Sequence, residues 1–150
     1  MFILFVAIHF SHAQPPSKEY QVKAVFLFNF SQFTDWPDNA LPAANSPFVI
    51  GVLGSDPFGP YLNETVSGEK KSGHTIVVKR FRDVKDVTDC SILFISSSER
   101  IKEVTDALGN RSILTVGDAN DFAASGGMIQ FFTEGNKRHP QEKSCILCTL

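Results

Sequence analysis

Apolar residues fall in short runs of strand length, separated by polar connectors and by longer amphipathic stretches. Phe48 to Leu53 is a continuous apolar run, which is typical of a strand covered on both faces. Further strands are predicted at Thr75–Val78, Ser91–Ile95, Ser112–Val116 and Met128–Phe132. Helices are predicted at Lys18–Asp35, from Gly54–Pro57 to about Val66, at Arg100–Leu108 and at Ala119–Ala124, with a polar loop at Ser67–Gly73.

Punctuating residues support the predicted ends of the helices. Ser17 is placed to cap the first helix, and Trp36-Pro37 stops it. Gly109 stands where a left-handed residue ends the third helix. Strands that alternate with helices predict a single α/β domain, Rossmann-like, with an open and mainly parallel sheet flanked by helices on both faces.

The first predicted helix is rich in phenylalanine. Phe26, Phe30 and Phe33 follow at i, i+4 and i+7, so the pattern predicts one stripe that packs against the sheet. The chain holds 14 Phe against one Trp and two Tyr, and most of these rings are expected in the core because Phe has no polar group to keep in water.

The two ends of the chain differ from the domain between them. Phe2 to Phe10 is an apolar run followed by Ser11-His12-Ala13, which predicts a signal peptide over residues 1–13, cleaved after about Ala13. A buried strand or helix of the domain is the alternative. No Lys or Arg precedes the run, so either the start codon is called too late or the α-amino group supplies the only positive charge. The run is too short to span a membrane, so no span is expected in the mature chain. We expect residues 14–17 to form an N-terminal arm and residues 18–134 the domain. Residues 135–150 are expected to be a disordered tail, because their apolar residues follow neither the strand period of 2 nor the helix period of 3.6.

Charge narrows the range of partners. The net charge is −2 and no stretch is strongly basic, which argues against nucleic acid and against a polybasic membrane-surface module. Neither a dinucleotide fingerprint nor a P-loop is present, so no cofactor is expected.

Three predicted strands end in polar loops that would meet at one rim of the sheet. Ligands in open α/β sheets bind at the carboxyl ends of the strands. The candidate ligand-binding residues of this rim are Gly54, Ser55, Asp56, Gly59, Ser96, Ser97, Gly117 and Asp118. Tight turns and helix caps are the alternative interpretation of the same residues.

Catalysis and metal binding find little support. His74 is the only histidine between the signal segment and the tail, and no nucleophile-elbow motif is present, so an enzyme is not predicted. Cys145 and Cys148 could form a local disulfide, a redox pair or half of a zinc site, although zinc would need Cys90 and His139 at no standard spacing. Cys90 is expected to be a small buried thiol, and no metal is predicted.

Five segments in order resemble the YfiR-like family of bacterial periplasmic proteins over about residues 18–134. They are Tyr20–Phe30 with Phe33 and Trp36-Pro37, Val52–Gly59, Asp89–Ser96, Leu114–Asp118 and Gly126–Ile129. The resemblance implies a periplasmic protein that represses a membrane-bound diguanylate cyclase by contact, and so lowers cyclic di-GMP and biofilm formation. It implies no active site, and it allows for a homodimer and for disulfides.

Under this resemblance, the exposed part of the first helix and the strand-end loops would carry the contact, with Phe26, Phe30, Phe33 and Trp36 as candidates. Family members continue with a further strand and a final helix, and Arg138–Leu150 matches neither. The C-terminal strand and helix are therefore expected to be missing, as a frameshift would produce. Two alternatives are a periplasmic small-ligand binding or sensing domain at the rim, and an exported thiol oxidoreductase based on Cys145 and Cys148.

Overall fold

Helices lie on both faces of a seven-stranded sheet. The computed structural model describes residues 16–37, 40, 43, 45–97, 99–133 and 144–148. The helices are α1 (Lys18–Phe33), α2 (Tyr61–Thr65) and α3 (Ile101–Leu108), with a 3₁₀ helix at Val84–Asp86. The strands are β1 (Phe48–Leu53), β2 (Lys70–Lys71), β3 (His74–Phe81), β4 (Ile92–Ile95), β5 (Leu114–Gly117), β6 (Ile129–Thr133) and β7 (Ser144–Cys148). The predicted signal peptide lies outside the described residues.

The sheet order is β2-β3-β1-β4-β5-β6-β7. The five strands from β3 to β6 in this order pair in parallel, and the short β2 and the last strand β7 pair antiparallel at the two ends. The predicted α/β fold with a mainly parallel sheet is confirmed.

β1 lies at the centre of the core, and all six of its residues are buried. Because side chains alternate across a strand, Ile50 and Val52 face the cluster that holds Leu27 of α1 and Leu62 of α2. Val49 and Leu53 face the opposite cluster, which holds Ile101, Val104 and Leu108 of α3. The continuous apolar run of β1 thus reflects two separate helix–sheet interfaces.

α1 covers one face of the sheet with an unexpected set of residues. Its buried positions are Lys23, Ala24, Leu27 and Ser31. Phe26 and Phe30 flank this stripe and lie 6.2 and 6.1 Å from the ring of Phe131. Phe33 is 82% exposed. The prediction that the phenylalanine stripe packs on the sheet is therefore right for Phe26 and Phe30 and wrong for Phe33.

Several predicted element boundaries need correction. Lys70 and Lys71 form a strand inside the predicted polar loop, because Ser72 and Gly73 both have positive φ (50° and 85°) and close a tight hairpin onto β3. The helix predicted before Val66 begins only at Tyr61, after a bent segment. The region predicted as the helix Ala119–Ala124 is a series of turns ended by Gly126 at φ 94°.

The tail prediction is wrong for residues 144–148. This segment pairs antiparallel with β6, with Ile129 opposite Cys148 and Thr133 opposite Ser144. A strand therefore stands where the sequence analysis expected none, since β6 offers it unpaired backbone groups. Residues 134–143 and 149–150 lie outside the described part of the chain.

The strand conformation of β7 also bears on the suggested disulfide. Cys145 and Cys148 are three residues apart, which separates their Cα atoms by about 10 Å in an extended strand. A disulfide needs Cα atoms within about 7 Å. The suggested bridge would therefore require a local departure from the strand conformation, and it stays a prediction.

Across the described ranges, we find no helix with the length and apolar character that a membrane crossing requires.

Candidate functional site

The chain reverses its direction of winding at β1 and β4. β3 lies on one side of β1 and β4 on the other, so a crevice is expected beyond the carboxyl ends of these two strands. The Ser96 N–H donates to the Leu53 carbonyl at 3.0 Å, and the Gly54 N–H donates to the Phe81 carbonyl at 3.0 Å. The structure therefore brings the predicted rim residues Gly54 and Ser96 together at the end of the sheet.

The crevice between these two loops is filled by a side chain. Gly54 has φ +84°, and a Cβ at this position would run into the carboxylate of Glu99. Only glycine therefore suits both the left-handed backbone and the close approach of Glu99. At this point of the rim, the turn interpretation fits better than a ligand-binding one.

The loop after β1 is held by Arg80. The Asp56 carboxylate accepts a hydrogen bond from the Phe58 N–H at 2.8 Å and from Arg80 Nε at 2.9 Å. Arg80 also donates to the Gly59 carbonyl at 2.7 Å and to the Asn63 side chain. Asp56 and Gly59 thus serve to fix this loop, and Arg80, which the sequence analysis did not single out, is the residue that fixes them. Ser55, beside them, is exposed.

A buried ion pair lies at the end of β5. Lys23 Nζ is 2.8 Å from Asp118 Oδ2 and 2.6 Å from Glu19, and the side chains of Lys23 and Asp118 are only 5% and 9% exposed. The Tyr20 hydroxyl donates to the same Asp118 oxygen at 2.8 Å. The Tyr20 ring meets Phe58 edge-on at 5.6 Å. α1 is thereby tied to two of the three strand-end loops.

The protonation state of Tyr20 maintains its hydrogen bond to Asp118. Burial raises the pKa of Tyr20, and its hydrogen bond to the Asp118 carboxylate raises it further. The hydroxyl therefore stays protonated and donates to Asp118 at all ordinary pH values. The Lys23 ammonium also lies 4.4 Å from the centre of the Tyr20 ring. Its charge is thus balanced by carboxylates and by an aromatic face.

An open cavity of about 300 Å³ adjoins the ion pair. Its lining includes Lys23, Asp118, Ser97 and Asn120 together with the Phe131 ring. The structure thus brings two of the predicted rim residues, Ser97 and Asp118, to one cavity. A lysine among the apolar positions of α1 is the sequence feature that could have indicated it.

Gly117 does not contribute polar atoms to this cavity. A Cβ at Gly117 would collide with the ring of Phe122, so the glycine allows that ring to pack against the end of β5.

The second candidate surface is the outer side of α1. Val22, Val25 and Phe33 are 44%, 41% and 82% exposed. The half-buried Phe26 lies between them on the helix, since these positions fall on one side at 100° per residue. Trp36 is half-buried, with its ring edge-on to Phe48 at 5.0 Å. Of the four predicted contact residues, Phe33 alone is largely open to solvent, and Val22 and Val25 were not among the predicted contacts.

Two side chains with catalytic potential, His74 and Cys90, have structural roles: the first contacts a backbone carbonyl and the second is buried. His74 Nδ1 lies 2.7 Å from the Ser46 carbonyl. Burial raises the pKa of the Cys90 thiol to about 12, which makes it a poor nucleophile at neutral pH. Within the described ranges, no three His, Cys, Asp or Glu side chains gather as metal ligands would.

A comparison with models of known protein families places this chain in one of them. The model of the YfiR/HmsC-like family matches residues 20–141. This chain belongs to the YfiR/HmsC-like family. The family membership predicted from five sequence segments is thus confirmed. The match includes Lys23, Asp118 and the outer side of α1. A search of the curated proteins finds no match.

Proposed function

We propose that this protein is a periplasmic regulator that represses an inner-membrane diguanylate cyclase by direct contact with the periplasmic part of that enzyme. Membership in the YfiR/HmsC-like family supports this proposal. The observation that carries it is the exposed apolar side of α1, formed by Val22, Val25 and Phe33. Large apolar side chains grouped on one surface indicate an interaction site.

The contact surface is held in a fixed position before binding. The ion pair of Lys23 with Asp118 fastens the first half of α1 to the sheet, and the Lys71 ammonium donates to the carbonyls of Gln32 and Thr34 at its end. A preformed surface loses little conformational entropy on binding. Burying a side chain such as Phe33 contributes about 1.5–3 kcal/mol to association, so it is the natural anchor of the contact.

Binding rather than catalysis is also supported by the use of the polar groups. Asp56, Arg80 and Asp118 all bond to other parts of the same chain. We therefore assign them to holding the loops and α1 in place. The proposed repression needs no chemistry at the rim, because occupancy of the periplasmic part of the cyclase is sufficient.

A binding measurement tests the proposal. The mature chain is titrated against the purified periplasmic segment of a membrane diguanylate cyclase from the same genome, by calorimetry at micromolar concentration. We expect saturable binding that Phe33→Glu weakens by at least about tenfold, since a buried phenylalanine is replaced by a charge. Met128→Glu is the matched control, because Met128 is an exposed apolar residue outside α1.

Two outcomes of this titration would count against the proposal. No association at micromolar concentration, or equal loss of affinity in both variants, would contradict contact through α1. Homodimerisation through the same surface is measured by sedimentation of the chain alone, and Phe33→Glu would then shift the dimer to monomer.

The cavity beside Lys23 and Asp118 favours a second candidate function, a small-ligand sensing domain. A buried ammonium beside an open cavity of about 300 Å³ can position a polar ligand. A thermal-shift screen with nucleotides and amino acids tests this candidate, and at least one compound should give a saturable rise in melting temperature. Absence of any such compound would leave regulation by protein contact alone.

A further inference from the structure

The outer edge of β3 is only partly covered. On its inner side, β3 pairs with β1 over the whole stretch from Ile76 to Phe81. On its outer side, the two-residue strand β2 pairs only with His74 and Thr75. Beyond Thr75, no strand among the described residues pairs with this edge.

The direction of the backbone groups on this edge follows from two hydrogen bonds. The Ile76 N–H donates outward to the Glu69 carbonyl at 3.0 Å, and the Phe81 carbonyl accepts inward from the Gly54 N–H. Since successive residues of a strand point their backbone groups to opposite sides, Val78 and Arg80 point theirs outward, as Ile76 does. These two residues offer two donors and two acceptors at the spacing that an added strand uses.

The segment that forms this edge is distinctly basic. Residues 70–82 contain five Lys and Arg and no Asp or Glu. Lys71 and Arg80 are committed to α1 and to the loop after β1. Lys70, Lys79 and Arg82 are exposed, and no partner for their side chains occurs among the described residues.

The nearest carboxylates do not neutralise the edge. Asp83 follows the segment directly, but its carboxylate lies 3.0 Å from the Lys85 ammonium and also accepts from the Lys85 N–H. Glu69 precedes the segment, and its carboxylate makes no ion pair with a basic side chain among the described residues. In the part of the chain that the structure describes, the edge therefore combines unpaired backbone groups with uncompensated positive charge.

The charge determines which occupant fits. A second copy of this chain, paired edge to edge, would bring Lys79 and Arg82 against basic residues of the same segment, which costs free energy. An extended acidic segment would instead satisfy the backbone groups and the charges together. We propose that the outer edge of β3 receives an extended acidic segment of a partner protein, which adds to the sheet as a further strand next to β3.

This surface is separate from the α1 contact, and its test uses no cyclase. The probe is a fluorescein-labelled octapeptide of alternating Thr and Glu with blocked ends, titrated against the full mature chain and followed by fluorescence anisotropy. A second probe has the same sequence with N-methyl groups on consecutive amides through its centre, which removes backbone donors from both edges of the peptide and leaves the charge unchanged.

We expect saturable binding of the first probe, and at least about tenfold weaker binding of the N-methylated one, because strand addition depends on main-chain hydrogen bonds. The double variant Lys79→Glu/Arg82→Glu should also weaken binding about tenfold or more. The matched control is Arg100→Glu/Lys102→Glu, an equal charge change on exposed residues at the start of α3, which should alter the affinity less than about twofold.

Three results would overturn the proposal. The first is no saturable binding at about millimolar peptide, where even weak strand addition is detectable. The second is equal affinity for both probes, which would indicate general charge attraction. The third is that vesicles of phosphatidylglycerol bind with the same dependence on Lys79 and Arg82 while the peptide does not, which would indicate a lipid surface. Because the N-methyl comparison uses the unaltered chain, it holds even where a variant folds poorly.

Discussion

The buried ion pair between Lys23 and Asp118 gives the sharpest prediction for stability. Replacing Asp118 with leucine leaves the Lys23 ammonium in a site that is only 5% exposed, with Glu19 as its remaining partner, and leaves the Tyr20 hydroxyl without an acceptor. Breaking a buried pair on one side costs about 3–5 kcal/mol. We expect the lower end, about 3 kcal/mol, because Glu19 still faces the ammonium at 2.6 Å.

The same reasoning predicts that the two changes do not add. Lys23→Met alone leaves a buried carboxylate and should also cost about 3 kcal/mol. The double variant Lys23→Met/Asp118→Leu holds no uncompensated charge of this pair, so its cost should fall to about 1–3 kcal/mol, mainly from the unpaired Tyr20 hydroxyl and altered packing. The coupling free energy is then about 3–5 kcal/mol.

Urea unfolding measures all four proteins of the cycle. Trp36 is the only tryptophan, and its ring lies edge-on against Phe48, so its fluorescence reports on the core at the end of α1. In thermal unfolding followed by the same fluorescence, each single variant should lower the melting temperature by roughly 10 °C. The double variant should lower it by no more than one single variant does. Costs that add within about 0.5 kcal/mol would refute the buried pair.

Three further predictions concern stability and reactivity. Gly54→Ala should cost about 1–3 kcal/mol in urea unfolding, because it combines φ +84° with a collision at Glu99. Gly59→Ala, also at positive φ but with free space around it, should cost less, and a reversed order would contradict this reading. Cys90 should resist thiol reagents at pH 8 and react on unfolding, because burial raises its pKa to about 12; rapid modification of the folded chain would disprove its burial. As the pH rises above 9, the unfolded thiol ionises and the folded one does not, so the free energy of unfolding should fall by up to about 1.4 kcal/mol per pH unit. Cys90→Ala should show a smaller fall, and equal slopes would mean that this thiol does not titrate as described.

The central sheet could be predicted from sequence because its signals are local. The continuous run of β1 and the apolar run of β4 each specify a strand covered on both faces, and alternation with helices then restricts the topology. The hairpin between β2 and β3 was missed because a two-residue strand has no readable period, although Ser72-Gly73 is a turn signal. β7 was missed because its pairing depends on the edge offered by β6 rather than on its own pattern.

The face of α1 that packs inward could not be predicted in the same way. Apolar residues occur nearly all round this helix, so periodicity does not decide which side is buried. Lys23 faces the sheet because its ammonium pairs with Asp118, which lies 95 residues further along the chain. That long-range pair turns Phe33, Val22 and Val25 outward, and no local pattern contains this information.

The predicted rim residues lie at one end of the sheet, and their use as a ligand-binding site stays a prediction. Gly54, Ser96 and Asp118 do lie at the carboxyl ends of adjacent strands. The carboxylates of Asp56 and Asp118 are nevertheless engaged by Arg80 and Lys23, and the Glu99 side chain lies against Gly54. The reach of these three side chains cannot be deduced from spacing. Among the described residues, the apolar side of α1 and the outer edge of β3 remain exposed.

The most direct test of the proposed regulation is the affinity of the mature chain for the periplasmic segment of the diguanylate cyclase, measured by calorimetry for the wild type and for Phe33→Glu. The account predicts saturable binding at micromolar concentration and at least about tenfold loss in Phe33→Glu, with its melting temperature unchanged because Phe33 is 82% exposed. Equal affinity of the two proteins would contradict the assignment of α1 as the contact surface. Absence of binding by the wild type would contradict the proposed function itself.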